Sequence, residues 1–520
     1  MPDSFFDVRD FGATGDGLHK ETHALQKAID TCHRAGGGRV LLPAGRYLSG
    51  TIFLKSNVEL HLQNGAVLLG SPDAEDYNAE DIFPENIAFA SENVTARHLV
   101  IAYQQENIAI TGNGTIDGNS SAFFDSLPAG KSATYRYKSG NFPIPEWRPG
   151  QMIFLCRCKN VTVRDVRLFN SPYWTLFLLG CDDVQIRGLR IENPSATANG
   201  DGIDMDCCRN VTISDCIVRS GDDCLTLRAN SRALGENAQP CENVVVSNCV
   251  LSTPCNAIRV GVGDGKIRNC LFNNIVIPEA SRGISVVSLY HKTENSQHGT
   301  SIENVHFSDF LMDADVPITM GMGEGAEKPA AMRDISFNRF RVTAWAAAQV
   351  VGNAEVPVQR VHFCDCDWTV RGGTENLLFQ TEFPPSLSHH GYRGRNGEAA
   401  LPCAIYGADI ESITFENLRL RWEEISAVWR ESIFLERARD VEVLRSTLRQ
   451  PQEESGAAIR CICCEEITLD GCRAARGTAT FLQVENSAPN ASITDSNNDW
   501  RHAAQPLETD IPVAQQDFAA

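Results

Sequence analysis

At 520 residues the chain is longer than a usual single domain, but a fold of repeated coils escapes that limit because each repeat buries its own slice of core. A hydrophobic share of 42% with 8% aromatics belongs to a folded globular protein and argues against disorder. The formal net charge of −20 disfavours a sequence-independent nucleic-acid binder, which needs a basic face to displace counterions, and no stretch reaches the ~18 consecutive apolar residues of a membrane span.

The first residues, Met1 to Val8, lack the basic and apolar regions of a signal peptide, so a cytoplasmic location is expected. In such a chain nineteen cysteines, including the pairs Cys207-Cys208 and Cys463-Cys464, read as reduced thiols buried as small hydrophobes. The groups Cys461, Cys463, Cys464 and Cys364, Cys366 lack zinc-ribbon spacing. No metal or organic cofactor is expected.

In chain order, the first element is a helix. Ala24, Leu25, Ala28, Ile29 and Cys32 recur at helical spacing, and Gly36-Gly37-Gly38 stops the pattern. If a stack of strands follows, this helix caps its open first coil, since a bare strand edge invites aggregation. A short phrase then recurs, a polar turn followed by apolar residues at period two: Lys159-Asn160-Val161-Thr162-Val163, Asp183-Val184-Gln185-Ile186, Arg209-Asn210-Val211-Thr212-Ile213 and Glu242-Asn243-Val244-Val245-Val246. Later copies centre on Val305, Ile335, Val361, Ile413, Val441 and Ile467. Val161, Val184, Val211 and Val244 lie 23, 27 and 33 residues apart, the period of a solenoid. With short Val-, Ile- and Phe-rich strands, no helix between them and no propeller signature, the expected fold is all-β, a right-handed parallel β-helix. It is expected as one domain over 1–500, with the cap and first coil in 1–45, clear repeats over 160–475, and a loosely packed tail over 501–520. The long gap between Val361 and Ile413 holds Phe383-Pro384-Pro385 and His389-His390-Gly391, a surface insertion suited to walling a groove.

Two motifs inside the repeats carry chemistry: Asn199-Gly200-Asp201-Gly202-Ile203-Asp204 and Gly221-Asp222-Asp223-Cys224-Leu225. Asp201 and Asp223 are 22 residues apart, close to one coil, so both can project from the same position of neighbouring turns with Asp222 beside them. Carboxylates packed together cannot all ionise easily, and one is pushed towards holding a proton. A protonated acid beside ionised bases is what cleavage of a glycosidic bond uses. Single aspartates serve as turn residues in many proteins, but three at one-coil spacing point to a site.

Phe6-Asp7-Val8-Arg9-Asp10-Phe11-Gly12-Ala13, Gly37-Gly38-Arg39-Val40-Leu41-Leu42-Pro43, Gly112-Asn113-Gly114-Thr115-Ile116-Asp117-Gly118, Asn170-Ser171-Pro172-Tyr173-Trp174 and above all the two aspartate motifs resemble glycoside hydrolase family 28, the pectin-degrading polygalacturonases, with Gly200 in place of the family's Thr. The resemblance covers residues 5 to 290 closely. It implies a pectin-lyase-like solenoid in which Asp222 protonates the leaving oxygen while Asp201 and Asp223 activate water, with inversion at the anomeric carbon. One coil spacing by itself is nearer the separation of a retaining pair.

The chain departs from that family where substrate is held. Asn256-Ala257 stands in place of His-Gly, and Ser285-Val286-Val287 in place of Arg-Ile-Lys. Losing that Arg and Lys removes a clamp for a uronate carboxylate. Aligning the strands puts Arg282 in the column of Asp201 and Asp223, and Arg259 in that of Ser285 one coil earlier, so the charge is expected to have moved to these arginines. Asn199, Arg228, Asn256 and Tyr290 complete the expected substrate contacts, and Trp174 is expected to pack the coil.

The expected activity is an inverting hydrolase of galacturonate- or rhamnogalacturonan-type oligosaccharides, acting from a chain end. Its partner is an oligosaccharide or polysaccharide, with neither nucleic acid nor membrane, and the sequence sets no oligomeric state. A polysaccharide lyase on the same fold and a non-catalytic carbohydrate-binding β-helix are the alternatives.

Overall fold

The computed structural model describes residues 5–86, 94–124, 145–195, 197–288, 299–322, 330–372, 378–379, 399–424, 429–452, 455–512 and 516–518. The chain divides into two compact units, residues 1–259 with 265–267, and residues 260–264 with 268–520. Among the described residues no helix is long and apolar enough to cross a membrane.

In the first unit each coil lays one strand on each of three parallel sheets. The coil made of Lys159–Arg164, Arg167–Phe169 and Leu176–Leu179 pairs strand for strand with Asp182–Arg187, Arg190–Glu192 and Ile203–Asp206 of the next. This is a parallel β-helix, as the repeat phrase predicts. Val161, Val184, Val211 and Val244 sit opposite one another and are fully buried, each such side chain contributing about 1.5–3 kcal/mol of burial.

The polar residue that opens each phrase turns the corner. Asn57, Asn107, Asn160, Asp183, Asn210 and Asn243 all have φ between 52° and 65°, a left-handed conformation that Asn and Asp tolerate best among residues with a side chain. Their amides also stack: Asn160 Nδ2 donates to Asn107 Oδ1 at 2.8 Å, and Asn243 Nδ2 to Asn210 Oδ1 at 3.0 Å. The residues just before them alternate in sign, Glu106, Lys159, Asp182, Arg209 and Glu242 in register. Arg209 forms two bonds of 2.7 Å with Asp182, a pairing that a shifted register would break.

The predicted helix spans Thr22–Arg34 and buries the five residues that marked it. It packs against the strands Phe5–Asp7, Gly38–Leu42, Ile52–Phe53 and Val58–Leu62, at the start of the coil stack. Glu21, just before it, accepts bonds from Thr14 N, Thr14 Oγ1 and Gly15 N, tying the glycine-rich opening to the cap.

The second unit repeats the plan. Val305, Ile335, Val361, Ile413, Val441 and Ile467 align in one buried column. The gap from Val361 to Ile413 is therefore a single coil with an insertion, whose Phe383-Pro384-Pro385 and His389-His390-Gly391 lie outside the described residues. Phe307, Phe337, Phe363 and Phe415 stack at 5.3, 4.9 and 5.4 Å between ring centres. In the described part of the tail, Ala503–Thr509 pairs in parallel with Thr478–Glu485 and satisfies that strand's edge.

The cysteines behave as small hydrophobes. None of the nineteen forms a disulfide, and only Cys463 is exposed, with Cys364 half-buried. Several thiols bond to buried backbone carbonyls, as Cys181 does to Leu155 O at 3.3 Å.

Candidate active site

The site grows from the third sheet of the first unit, at the turns leading into Ile203–Asp206 and Leu225–Ala229. Ile203 pairs with Leu225, which sets Asp201 opposite Asp223. Gly202 N donates to Asp223 O at 2.8 Å and Cys224 N to Asn256 O at 3.0 Å, continuing the column to Asn256. The 22-residue spacing is thus one coil.

Local chemistry holds both turns. A Cβ on Gly202 would lie 2.4 Å from Cys224 O, so the coils approach this closely only over glycine. Asn193 Nδ2 bonds to Thr175 Oγ1 at 2.7 Å and to Gly200 O at 3.1 Å, fixing the first turn. In the second, the Asp222 carbonyl accepts Ser220 Oγ at 2.6 Å and Thr253 Oγ1.

Asp201 and Asp223 are buried and Asp222 is half-buried. Their electrostatics differ. Burial, with repulsion from Asp222, Asp204 and Asp223, pushes the Asp201 carboxyl well above the usual carboxylate range, and its Oδ1 accepts no hydrogen bond among the described residues. For Asp223 burial acts in the same direction, but the Arg259 guanidinium at 2.9 Å and the Asn256 amide at 2.5 Å prevail and hold it below its ordinary value. Asp223 is thus held towards its anionic form while Asp201 is pushed towards holding its proton, two unlike carboxyls of the kind that acid/base cleavage requires.

Donor atoms of Asp222, Asp223 and Cys255 lie within 4.8 Å of one another. A thiol beside two carboxylates, one already paired with Arg259, does not suit calcium or magnesium, which take oxygen ligands.

The expected substrate contacts fare differently. Asn256 reaches the cluster and bonds Asp223. Arg259 is neither a solvated surface residue nor an open clamp: its guanidinium is buried against Asp223. Arg228 is also turned inward, 1% exposed, paired with Asp204 at 3.3 Å and lying 4.1 Å above the Trp174 ring. Period-two alternation assigns Arg259 to an outward column, yet Arg259 and Arg228 are both buried, so outward does not mean exposed. Trp174 is buried, as its packing role predicts. Asn199 is half-buried with φ 55°. Arg282 is buried in the second unit on the strand Lys266–Val287. Tyr290 lies outside the described residues.

Two charged residues escaped the sequence reading. Asp204 sits within the first motif and adds to the charge felt by Asp201. Arg148 bonds Pro172 O, Ala198 O and Asn199 Oδ1 across 24, 50 and 51 residues, separations that no local pattern reveals.

Solved structures share the fold. An exopolygalacturonase from Thermotoga maritima matches 77% of this chain and 96% of its own with a TM-score of 0.57 at 23% identity. A family 28 exopolygalacturonase from Yersinia enterocolitica matches 85% of this chain and 78% of its own with a TM-score of 0.61 at 20% identity. Among curated relatives, a "Probable polygalacturonase" of Vitis vinifera is 28% identical over 287 residues, 53% of this chain and 55% of the relative. The exo-poly-alpha-D-galacturonosidase of Dickeya chrysanthemi is 27% identical over 314 residues, 54% of this chain and 51% of the relative, so the match spans about half the length of both proteins. The family model for glycosyl hydrolases family 28 matches residues 39–315, which contain all three aspartates, and the chain belongs to that family.

Proposed function

We propose that the protein is an inverting glycoside hydrolase that cleaves galacturonate- or rhamnogalacturonan-type oligosaccharides derived from pectin, acting from a chain end. The observation that carries this reading is the unequal charging of adjacent carboxylates: Asp223 is held as an anion by Arg259 and Asn256 against its burial, while Asp201 is pushed towards its protonated form by burial and then by Asp222, Asp204 and Asp223. Repulsion keeps a proton on the Asp201 and Asp222 pair at neutral pH. In the reactive state that proton sits on Asp222, the most exposed of the three, which donates it to the leaving glycosidic oxygen. Asp201 and Asp223, then both anionic, take a proton from the attacking water on the opposite face of the sugar.

Substrate class follows the matched relatives, whose names point to polygalacturonate. The donor set at Asp222, Asp223 and Cys255 favours hydrolysis over a calcium-dependent lyase.

The test is product analysis after incubation with defined pectic oligosaccharides. Hydrolysis gives one new saturated reducing end per cleavage, of inverted anomeric configuration, and monomer release from one end marks exo action. Unsaturated products absorbing in the ultraviolet would replace this reading with a lyase, and binding without new reducing ends would replace it with a carbohydrate-binding role. Asp222→Asn should lower kcat by at least about 100-fold with an unchanged circular dichroism spectrum, since an amide keeps the shape but cannot supply the proton. Near wild-type turnover in that variant on an unactivated substrate would remove Asp222 from the acid role.

A further inference from the structure

We propose that Arg148, which none of the expected site contacts includes, is a positioning residue that clamps the Asp201 turn and adds a buried positive charge, beside that of Arg228, against which the Asp201 and Asp222 carboxylates ionise. This role rests on the hydrolase reading of the site.

The geometry is specific. Arg148 is 1% exposed, yet it lies on no strand of the stack and packs beneath the two turns that precede the third-sheet strands. Nη1 donates to Pro172 O at 3.0 Å and to Ala198 O at 2.6 Å, and Nη2 donates to Asn199 Oδ1 at 2.9 Å. Its guanidinium lies 4.5 Å from the centre of the Tyr173 ring and 5.5 Å from that of Phe124. One planar fork therefore joins the Asn170-Ser171-Pro172-Tyr173-Trp174 turn to the Asn199-Gly200-Asp201 turn, two residues ahead of Asp201. Lysine has the charge but not the fork for such a junction.

The second half of the argument is charge. The hydrogen bonds of Arg148 go to neutral acceptors, so among the described residues no hydrogen-bonded carboxylate balances its charge. Burial pulls its guanidinium down to about 10, opposed by attraction to Tyr173, Asp201 and Asp222, the titratable groups that face it. A buried cation that prefers neutral bonding partners beside a crowded carboxylate cluster leaves its field available to that cluster. Asp204, Asp223 and Arg228 also act on Asp201, and Arg228 remains when Arg148 is removed; losing the second cation makes Asp201 and Asp222 harder to ionise, so the water-activating base appears only at higher pH.

The experiment compares Arg148→Gln and Arg148→Lys with wild type by three readouts. With Gln, kcat should fall about 10- to 100-fold with KM changed much less, because the turn loses its junction and the base its cation. The acidic limb of kcat/KM should move to higher pH. In infrared difference spectra, assigned with Asp201→Asn and Asp222→Asn, the protonated-carboxyl band should persist to higher pH than in wild type. Arg148→Lys should keep the wild-type band titration while losing part of kcat. A folded Gln variant with wild-type kcat and band titration overturns the proposal, as does one that loses only melting temperature. If the Gln variant does not fold, the Lys variant decides: lowered kcat with unshifted titration supports the role, and wild-type kcat overturns it. The infrared arm needs no turnover, so an absence of hydrolysis in wild type sinks the activity reading and leaves this test intact.

Discussion

Asp201 is the least comfortable residue of the site, a buried carboxyl surrounded by Asp222, Asp204 and Asp223. Its raised folded-state value has a definite sign in stability. Below the unfolded value both states hold the proton and nothing is lost; as pH rises the unfolded chain ionises while the folded one does not, so stability falls across the window up to the folded value. Asp201→Asn removes this term. The variant should be more stable than wild type at pH 7, with the difference shrinking towards pH 4, measured by thermal unfolding at both pH values, while turnover is severely impaired. A variant no more stable at pH 7 than at pH 4, relative to wild type, would mean Asp201 is not strained by its neighbours. Arg259 gives the complementary case, because it neutralises Asp223 inside the protein. Arg259→Ala should cost activity on acidic and neutral substrates alike, about 100-fold or more if the base is no longer held as an anion, and should raise the acidic limb of kcat/KM. Loss confined to uronate-containing substrates would instead assign Arg259 to carboxylate recognition.

Each coil depends on its corners. Asn210 holds φ 56°, donates its amide to Asp183 Oδ1 at 3.1 Å and accepts from Asn243 Nδ2 at 3.0 Å. Replacing it with Ala loses both ladder bonds and places a Cβ in a left-handed backbone, a cost of about 1–3 kcal/mol. Glycine loses the bonds but relieves the backbone. Asn210→Ala should therefore unfold at lower denaturant than Asn210→Gly, which in turn lies below wild type; equal midpoints for the two variants, both below wild type, would show that the amide ladder, not the backbone, sets the corner. A different constraint, close approach of backbones, puts Gly202 and Gly221 in the aspartate turns, where an added Cβ would meet backbone oxygens at 2.4 and 2.7 Å.

At the level of the whole molecule the thiols offer a simple check of the burial pattern. A thiol reagent applied to the native protein should modify Cys463 first and Cys364 more slowly, and reach the buried thiols only on unfolding. Rapid reaction of many thiols under native conditions would contradict the interior described for both units. Each unit packs its own interior, with Val161, Val184, Val211 and Val244 in the first and the Phe307, Phe337, Phe363 and Phe415 stack in the second.

The period-two strands, the 3.6-residue period of Thr22–Arg34 and the one-coil spacing of Asp201 and Asp223 were all legible in the sequence, because in a solenoid local periodicity is the fold. The family resemblance rested on the same local motifs. The tertiary structure alone decided which charges are buried against each other. Arg228 pairs with Asp204 across 24 residues and Arg259 with Asp223 across 36, while Arg148 joins turns up to 51 residues away. Strand alternation assigns a side chain to a face, but only packing across coils determines whether that side chain is buried, and here it sets Arg228 and Arg259 against Asp204 and Asp223.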